Sequence, residues 1–205
     1  EVSRGFFRET AKTETRSTAA DMRALALRTD PLAARRLSAQ SPYFNSVMRT
    51  TCVATRLFGG HADNALPQLA RATVNCRLVP DHRPDSVVAT LKRVMGDTAI
   101  SIAVSFEPTP SPASPLRADV LKPIERLVNA TWPGIPIVPE MSTGATDGLY
   151  VRNAGIPVYG VSAIFGDIDD VRAHGRDERV GVSEFHQAST FWYQMLKTLT
   201  SPPKA

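Results

Sequence analysis

Residues 71–79 read Arg71-Ala72-Thr73-Val74-Asn75-Cys76-Arg77-Leu78-Val79, in which apolar and polar side chains alternate with the two-residue period of a β-strand. The even-numbered side chains share an apolar face, and the opposite, polar face ends in Arg77. Residues 50–58 and 100–106 predict two further strands, and Pro84 can begin a helix between the second and the third. This order predicts a β-β-α-β unit, an antiparallel sheet with a helix on one face and an open polar face.

The segments on either side of this unit have different patterns. Residues 1–48 are rich in Ala, Arg and Thr and predict two short helices, 19–27 and 32–37, before Ser41-Pro42 ends the helical region. Residues 107–115 contain four prolines and are typical of a stiff linker. The linker therefore marks the predicted domain boundary.

After the linker, helical patterns alternate with short apolar runs. Helices are predicted from about Asp119, after Thr146 or Asp147, and after a capping Ser183. Short buried strands are predicted at 135–138 and 156–161. Alternation of helices and strands favours an α/β layer with crossover connections.

Composition excludes several classes of partner. The chain has 205 residues, 42% of them hydrophobic, and a net charge of +4. Its arginines are scattered, so we expect no nucleic-acid partner, and no apolar run approaches the roughly 18 residues of a membrane span.

The two cysteines, Cys52 and Cys76, lie in predicted strands. We interpret them first as small buried apolar residues, with a disulfide as the alternative.

His174 is a candidate metal ligand. It precedes Gly175 and several charged residues, in a loop between a predicted strand and a predicted helix, where functional groups of α/β proteins often lie. Neutral imidazole is a common zinc ligand, but a loop histidine is also an ordinary surface residue. The spacing alone does not decide between these two interpretations.

Two other segments could bind an anion. Asn64 follows Gly59-Gly60 at a strand end, and Arg77 could grip a carboxylate at two points; the alternative is a turn-forming Asn and a solvated Arg. The small residues of Ser142–Gly148 could let backbone N–H groups approach an anion, helped by the positive end of the following helix. The alternative for this segment is an ordinary connection that caps the helix.

Taken in order, four motifs resemble the M20 family of zinc metallopeptidases and amidohydrolases, over residues 49–199. They are Gly59-Gly60-x-x-x-Asn64-Ala65-Leu66-Pro67, Asn75-x-Arg77, Thr146-Asp147-Gly148 and His174-Gly175-x-Asp177-Glu178-Arg179-Val180. The resemblance implies a combined α+β and α/β fold. Residues 1–113 would be a truncated, ferredoxin-like lid (dimerisation) domain with an antiparallel sheet and an N-terminal helical segment. Residues 114–205 would be the C-terminal part of an α/β zinc-peptidase catalytic domain.

The resemblance also implies an activity. Members hold two zinc ions, form homodimers through the lid, and cleave an amide bond next to a free carboxylate in small peptides or N-acyl amino acids. The implied roles are a metal ligand for His174, contacts to the substrate carboxylate for Asn64, Arg77, Gly144 and Ala145, and structural or ligand-supporting roles for Asp147 and Glu178.

The family's other zinc ligands have no counterpart in this chain. They lie in an upstream His-x-Asp segment, a bridging Asp and a Glu-Glu pair that also supplies the general base. Because catalytic zinc takes about three protein ligands, we expect the chain alone to be inactive. The alternative interpretation is a non-catalytic dimerisation or carboxylate-binding module, which needs none of those ligands.

Overall fold

A computed structural model describes residues 2–80, 82–106, 108–167, 170 and 172–201. The elements in chain order are α1 (Val2–Thr10), α2 (Arg16–Leu27), α3 (Pro31–Gln40), α4 (Pro42–Met48), β1 (Thr51–Gly59), β2 (Ala70–Arg77), α5 (Pro84–Met95), α6 (Ala118–Thr131), α7 (Gly148–Asn153) and α8 (Val182–Thr200). They belong to two compact units. The first comprises Glu1–Ala113 and Val138–Gly155, and the second comprises Ser114–Ile137 and Ile156–Ala205.

Helices α1 to α4 surround one core of the first unit. Its buried apolar side chains are Phe6, Phe7, Ala11, Ala19, Met22, Leu37, Phe44 and Val47. Asp30 Oδ1 accepts the N–H groups of Leu32 and Ala33 at 3.1 and 3.0 Å and thereby caps α3. The helices predicted at 19–27 and 32–37 are confirmed within α2 and α3.

Ser41 begins a helix that the sequence analysis did not predict. Its Oγ accepts the N–H groups of Tyr43 and Phe44 at 3.2 and 3.5 Å, and Pro42 occupies the first helical position. The prediction that Ser41-Pro42 ends the helical region is therefore wrong. A Ser-Pro pair can end one helix and cap the next, and the sequence alone does not distinguish these roles.

Strands β1 and β2 form an antiparallel hairpin, with cross-strand pairs from Thr51–Arg77 to Gly59–Ala70. Both strands were predicted and both are confirmed. The register shifts between Ala54 and Arg56, as at a β-bulge, which bends a strand and increases its twist.

The strand predicted at 100–106 is wrong. Within the described part of the chain, these residues join no ladder, and Ile100, Val104 and Phe106 are 47%, 52% and 78% exposed. Alternating side chains indicate a strand only where a neighbour completes the backbone hydrogen bonds. The helix predicted from Pro84 is confirmed as α5, although none of its residues is buried.

Cys52 and Cys76 form a disulfide. They are directly opposed in the ladder, with their Cα atoms 4.1 Å apart. Our first interpretation of them as buried apolar residues is wrong, since Cys52 is exposed and Cys76 is only half-buried. Directly opposed residues of an antiparallel pair bring their Cβ atoms close together, so the register of the hairpin makes the bond possible.

The second unit is built on α6 and α8. They pack around Ile124, Ala163, Ala188, Phe191 and Met195. Residues 135–138 and 156–161 were predicted to be strands, but neither segment has strand structure among the described residues, so these predictions are wrong. An isolated apolar run has no partner for its backbone groups and remains irregular. The predicted α/β layer is therefore not observed in the described residues, whereas the hairpin and helices of the first unit fit the α+β prediction.

Helix α8 begins at Val182 after Gly181, so Ser183 lies inside the first turn and does not cap it as predicted. Its Oγ instead donates to Glu184 Oε1 at 3.2 Å. None of the described helices is both long and apolar enough to cross a membrane.

Candidate functional site

Arg77 and Asn64 lie toward opposite ends of one hairpin. Arg77 is the last residue of β2 and pairs with Thr51. Asn64 belongs to the exposed connection that follows the Gly59–Ala70 pair at the other end. At about 3.3 Å per residue, a strand running from Ala70 to Arg77 is about 23 Å long. The structure therefore separates the two side chains that were predicted to hold one carboxylate.

The end of the hairpin that carries Arg77 is held by several contacts. The Cys52–Cys76 disulfide joins the adjacent pair of residues. Beyond it, the Val79 N–H donates to Thr50 Oγ1 at 3.2 Å, and the same hydroxyl is hydrogen-bonded to His82 Nδ1 at 2.7 Å. The disulfide before Arg77 and the hydrogen bond after it thus restrain the backbone on both sides of this residue.

Arg77 has its guanidinium available for a ligand. It is exposed, and among the described residues it forms no ion pair and no side-chain hydrogen bond. By contrast, Arg36 and Arg117 are each paired with a carboxylate, to Asp21 and Asp119 respectively. A planar, five-donor guanidinium held on a tied strand suits two-point binding of a carboxylate.

The loop that contains Gly144 and Ala145 belongs to the first unit. The Gly144 N–H donates to Ser142 Oγ at 3.2 Å, so this donor is already engaged inside the exposed loop. Asp147 precedes α7 as predicted, but its side chain accepts no capping hydrogen bond. Gly155, with φ of 84°, follows the last turn, where the left-handed region favours glycine.

His174 lies in a tight turn of the second unit. The Gly175 N–H donates to the Arg172 carbonyl at 2.9 Å, and His174 has a φ of +65°. A Cβ atom on Gly175 would lie 2.9 Å from that carbonyl oxygen, so glycine is required there. A non-glycine residue in the left-handed region costs about 1–3 kcal/mol, and such costs are often found at functional sites.

An ion-pair network surrounds this turn. Arg172 pairs with both Asp170 and Asp177, and Arg179 Nη2 pairs with Asp170 Oδ2 at 2.7 Å. Glu178 is exposed, and its N–H is 3.4 Å from the Gly175 carbonyl. Motif spacing indicated His174 and Glu178 but not Arg172. The guanidinium of Arg172 joins Asp170 and Asp177, which lie on the two sides of the turn, and this contact depends on the fold of the loop.

The chain does not hold a complete zinc site within its described residues. They contain no group of three or more His, Cys, Asp or Glu side chains that could bind a metal ion together. Catalytic zinc takes about three protein ligands, so His174 does not suffice. The residues present do not fit a catalytic zinc ion.

Comparison with known proteins identifies the hairpin segment. Residues 9–102 match the family model of the M20 peptidase dimerisation domain. The match begins inside α1, so it includes the helices α2 to α4, which precede the residues that carry the four motifs. No solved structure matches the chain.

Curated relatives match most of this chain. It is 27% identical over 172 residues to the human (Homo sapiens) N-fatty-acyl-amino acid synthase/hydrolase PM20D1, covering 82% of this chain and 34% of that protein. It is 25% identical over 170 residues to the probable carboxypeptidase S-like 2 of Dictyostelium discoideum, covering 82% and 33%. It is 30% identical over 178 residues to the succinyl-diaminopimelate desuccinylase of Cereibacter sphaeroides, covering 85% and 44%. The chain therefore spans about a third to somewhat under half of these relatives.

Proposed function

The chain belongs to the M20 family of peptidases and amidohydrolases, and we propose that it is the dimerising and substrate-binding part of a hydrolase that cleaves an amide bond next to a free carboxylate. In this proposal residues 1–113 act as the lid and residues 114–205 belong to the catalytic domain. This class of substrate is supported by the names of the relatives. They are a carboxypeptidase-like protein, an N-acyl amino acid hydrolase and a desuccinylase.

The observation that carries the proposal is the position of Arg77. Its exposed guanidinium has no protein partner among the described residues, and the disulfide and the Thr50 hydroxyl hold its strand. In the proposed enzyme Arg77 of one copy binds the substrate carboxylate and Asn64 of a second copy adds a directional amide contact. The backbone around Gly144 and Ala145 approaches the same group. None of these groups exchanges a proton with the substrate; they bind and orient it.

Arg77→Ala in the full-length enzyme tests this assignment. We expect KM for an N-acyl amino acid to rise about 100-fold, because a two-point charged contact contributes about 3 kcal/mol. KM for the corresponding carboxamide should change little, because that substrate offers no charge to Arg77.

Arg71→Ala is the matched control for this experiment. Arg71 is exposed on the same face of β2 but lies at the other end of the strand, opposite Phe58. We expect Arg71→Ala to leave KM near the wild-type value. Equal effects of the two substitutions, or an Arg77 effect of the same size on the carboxamide, would contradict the proposed carboxylate contact.

His174 is proposed to contribute one ligand to a metal site that other parts of the intact hydrolase complete. Zinc is the metal that we propose, and it would polarise the amide carbonyl and activate a water molecule. Asp147 and Glu178 are proposed to support the site without touching substrate.

The variant His174→Gly shows whether His174 is a metal ligand or only a structural residue of its turn. Because glycine adopts a φ of +65° without strain, we expect the free energy of unfolding to stay within about 1 kcal/mol of wild type or to rise. The metal content of the purified full-length enzyme should fall. Urea denaturation and elemental analysis measure the two quantities, and unchanged metal content would show that His174 is not a ligand.

A carboxylate-binding module without catalysis is the second candidate. Two observations favour it: the described residues contain no metal-binding group, and within them Arg77 is unpaired. Titration of the full-length polypeptide with an N-acyl amino acid in the presence of a chelator distinguishes the module from the hydrolase. A module binds and releases the ligand unchanged with or without metal, whereas the hydrolase converts it once metal is restored.

A further inference from the structure

The chain that leaves β2 just after Arg77 is held by the side chain that immediately precedes β1. The ladder ends at the Thr51–Arg77 pair, so Val79 lies beyond its last rung. The Val79 N–H nevertheless has a partner, because it donates to Thr50 Oγ1 at 3.2 Å. Thr50 and Val79 are both half-buried, whereas Arg77 is exposed. The Thr50 hydroxyl therefore continues the pairing of the two strands past Arg77.

His82 closes this contact into a ring of three hydrogen bonds. Its N–H donates to the Val79 carbonyl at 3.0 Å, so the chain turns back toward the start of β1. The turn brings His82 Nδ1 to 2.7 Å from Thr50 Oγ1. Thr50, Val79 and His82 are thus joined pairwise, and we call them the Thr50–Val79–His82 cluster. Its members come from both sides of the hairpin, and no local sequence pattern indicates their contact.

The chemistry of a hydroxyl suits the place that Thr50 takes in this cluster. A hydroxyl offers one donor and two acceptor sites, and the Val79 N–H occupies one of the acceptor sites. The contact with His82 forms in either direction, because the hydroxyl donates to an unprotonated Nδ1 or accepts from a protonated one. The imidazole therefore restrains the Thr50 side chain in each of its tautomers. A restrained Thr50 keeps its oxygen directed at the Val79 N–H.

Arg77 lies between two restraints that are close to it in the chain. The Cys52–Cys76 disulfide immediately precedes it, and the cluster holds Val79 two residues after it. A guanidinium binds a carboxylate at two points only when its plane is suitably oriented. A backbone that is already ordered loses less conformational entropy when the ligand binds. Order at Val79 therefore lowers the entropic cost of a carboxylate contact by Arg77.

We propose that Thr50 and His82 are positioning residues, which restrain the backbone after Arg77 and thereby set the affinity and selectivity of Arg77 for a substrate carboxylate. The inference rests on the proposed function for the carboxylate contact, whereas the restraint of the backbone does not. Neither residue touches the substrate, since both act through Arg77. His82 thus contributes to substrate selection through the backbone, and not through a contact of its imidazole with the substrate.

Thr50→Val tests the inference in the full-length enzyme. The substitution keeps the β-branched shape and removes the hydroxyl, so the Val79 N–H and His82 Nδ1 both lose Oγ1 as a partner. We expect KM for an N-acyl amino acid to rise about 5-fold while kcat stays the same, because the lost contact served substrate binding alone. KM for the corresponding carboxamide should not change. Thr50→Ser restores the hydroxyl and should bring KM to within about 2-fold of wild type.

Thr55→Val is the matched control for this variant. Thr55 Oγ1 donates to the Thr73 carbonyl at 3.3 Å, so the substitution also removes a hydroxyl contact between the two strands. Thr73 lies four residues before Arg77 in β2, outside the Thr50–Val79–His82 cluster. We expect Thr55→Val to leave KM for both substrates unchanged.

His82 offers a second test that leaves Thr50 intact. His82→Ala removes the contact between Nδ1 and the Thr50 hydroxyl, and we expect KM for the N-acyl amino acid to rise about 3-fold. The amide of His82→Asn can reach the position of Nδ1, so this variant should stay near wild type. A loss of general stability alone would not separate the carboxylate substrate from the carboxamide.

Hydrogen exchange of the full-length enzyme, measured by mass spectrometry, gives a readout that needs no catalysis. Backbone amides of residues 77–79 should exchange faster in Thr50→Val than in wild type, Thr50→Ser or Thr55→Val, because the Val79 N–H has lost its acceptor. If Arg77→Ala leaves KM unchanged, the proposed function fails, and faster exchange in Thr50→Val still supports the restraint on Arg77. If Arg77→Ala raises KM but Thr50→Val does not, or if exchange in Thr50→Val is unchanged, the inference is overturned.

Discussion

Mixed dimers of Asn64→Ala and Arg77→Ala should hydrolyse substrate although neither variant does so appreciably alone. The hairpin carries the two side chains toward opposite ends of a strand about 23 Å long, which is too far for both to hold one carboxylate. In a two-fold symmetric dimer, each site could instead take Arg77 from one copy and Asn64 from the other. A mixed dimer would then contain one site with both residues and one site with neither.

The experiment needs two full-length polypeptides with different affinity tags, so that mixed dimers can be purified. We expect each single-variant dimer to fall to about 1% of wild-type kcat/KM, and the mixed dimer to recover about half of the wild-type value per dimer. A mixture of the two single-variant dimers that has not exchanged subunits is the control. If the mixed dimer stays near 1%, both residues serve the site of their own copy, and the division of the carboxylate contact between two copies is wrong.

Removal of the Cys52–Cys76 disulfide should have the second large effect. The bond closes a loop with a sequence separation of 24 residues. A crosslink that closes a loop of this size lowers the conformational entropy of the unfolded chain. It thereby stabilises the folded state by about 3 kcal/mol. Side-chain packing contributes little to the hairpin, because its side chains are exposed or at most half-buried. We therefore expect Cys52→Ala/Cys76→Ala to lower the free energy of unfolding by about 3 kcal/mol.

Reductant provides the internal control for this prediction. In wild type, a reductant should lower the denaturation midpoint to that of the double variant, and it should not change the double variant itself. The double variant should also bind an N-acyl amino acid more weakly than wild type, because Arg77 follows Cys76 directly. A wild-type midpoint that does not respond to reductant would contradict a stabilising bond.

Local patterns predicted the hairpin and most helices, because their signals lie within the elements themselves. Alternation marked β1 and β2, and Pro84 marked the start of α5. The pairing register of two strands is not a local property. The sequence alone therefore favoured two buried cysteines over the disulfide that the structure shows. The strand predicted at 100–106 was wrong because a strand also needs a neighbour, which no single segment encodes.

The candidate site shows the same division between local and long-range information. Motif spacing singled out Asn64, Arg77 and His174, and their roles stay predictions. The separation of Asn64 from Arg77 follows from the length of the ladder, and the left-handed backbone of His174 follows from the fold of its turn. The contact of Gly5 with Pro139 joins distant parts of the chain, and only a folded structure shows it.

The interrupted course of the first unit has a consequence for synthesis in the cell. Its final segment, Val138–Gly155, is separated from the rest by Ser114–Ile137, which belongs to the second unit. A ribosome releases α1 to α4 and the hairpin well before Pro139 and Glu140 emerge. Until then the surface of α1 around Gly5 is uncovered, and a nascent chain that stalls in the proline-rich linker exposes it to chaperones and proteases. Completion of the first unit must therefore wait for translation to pass Gly155.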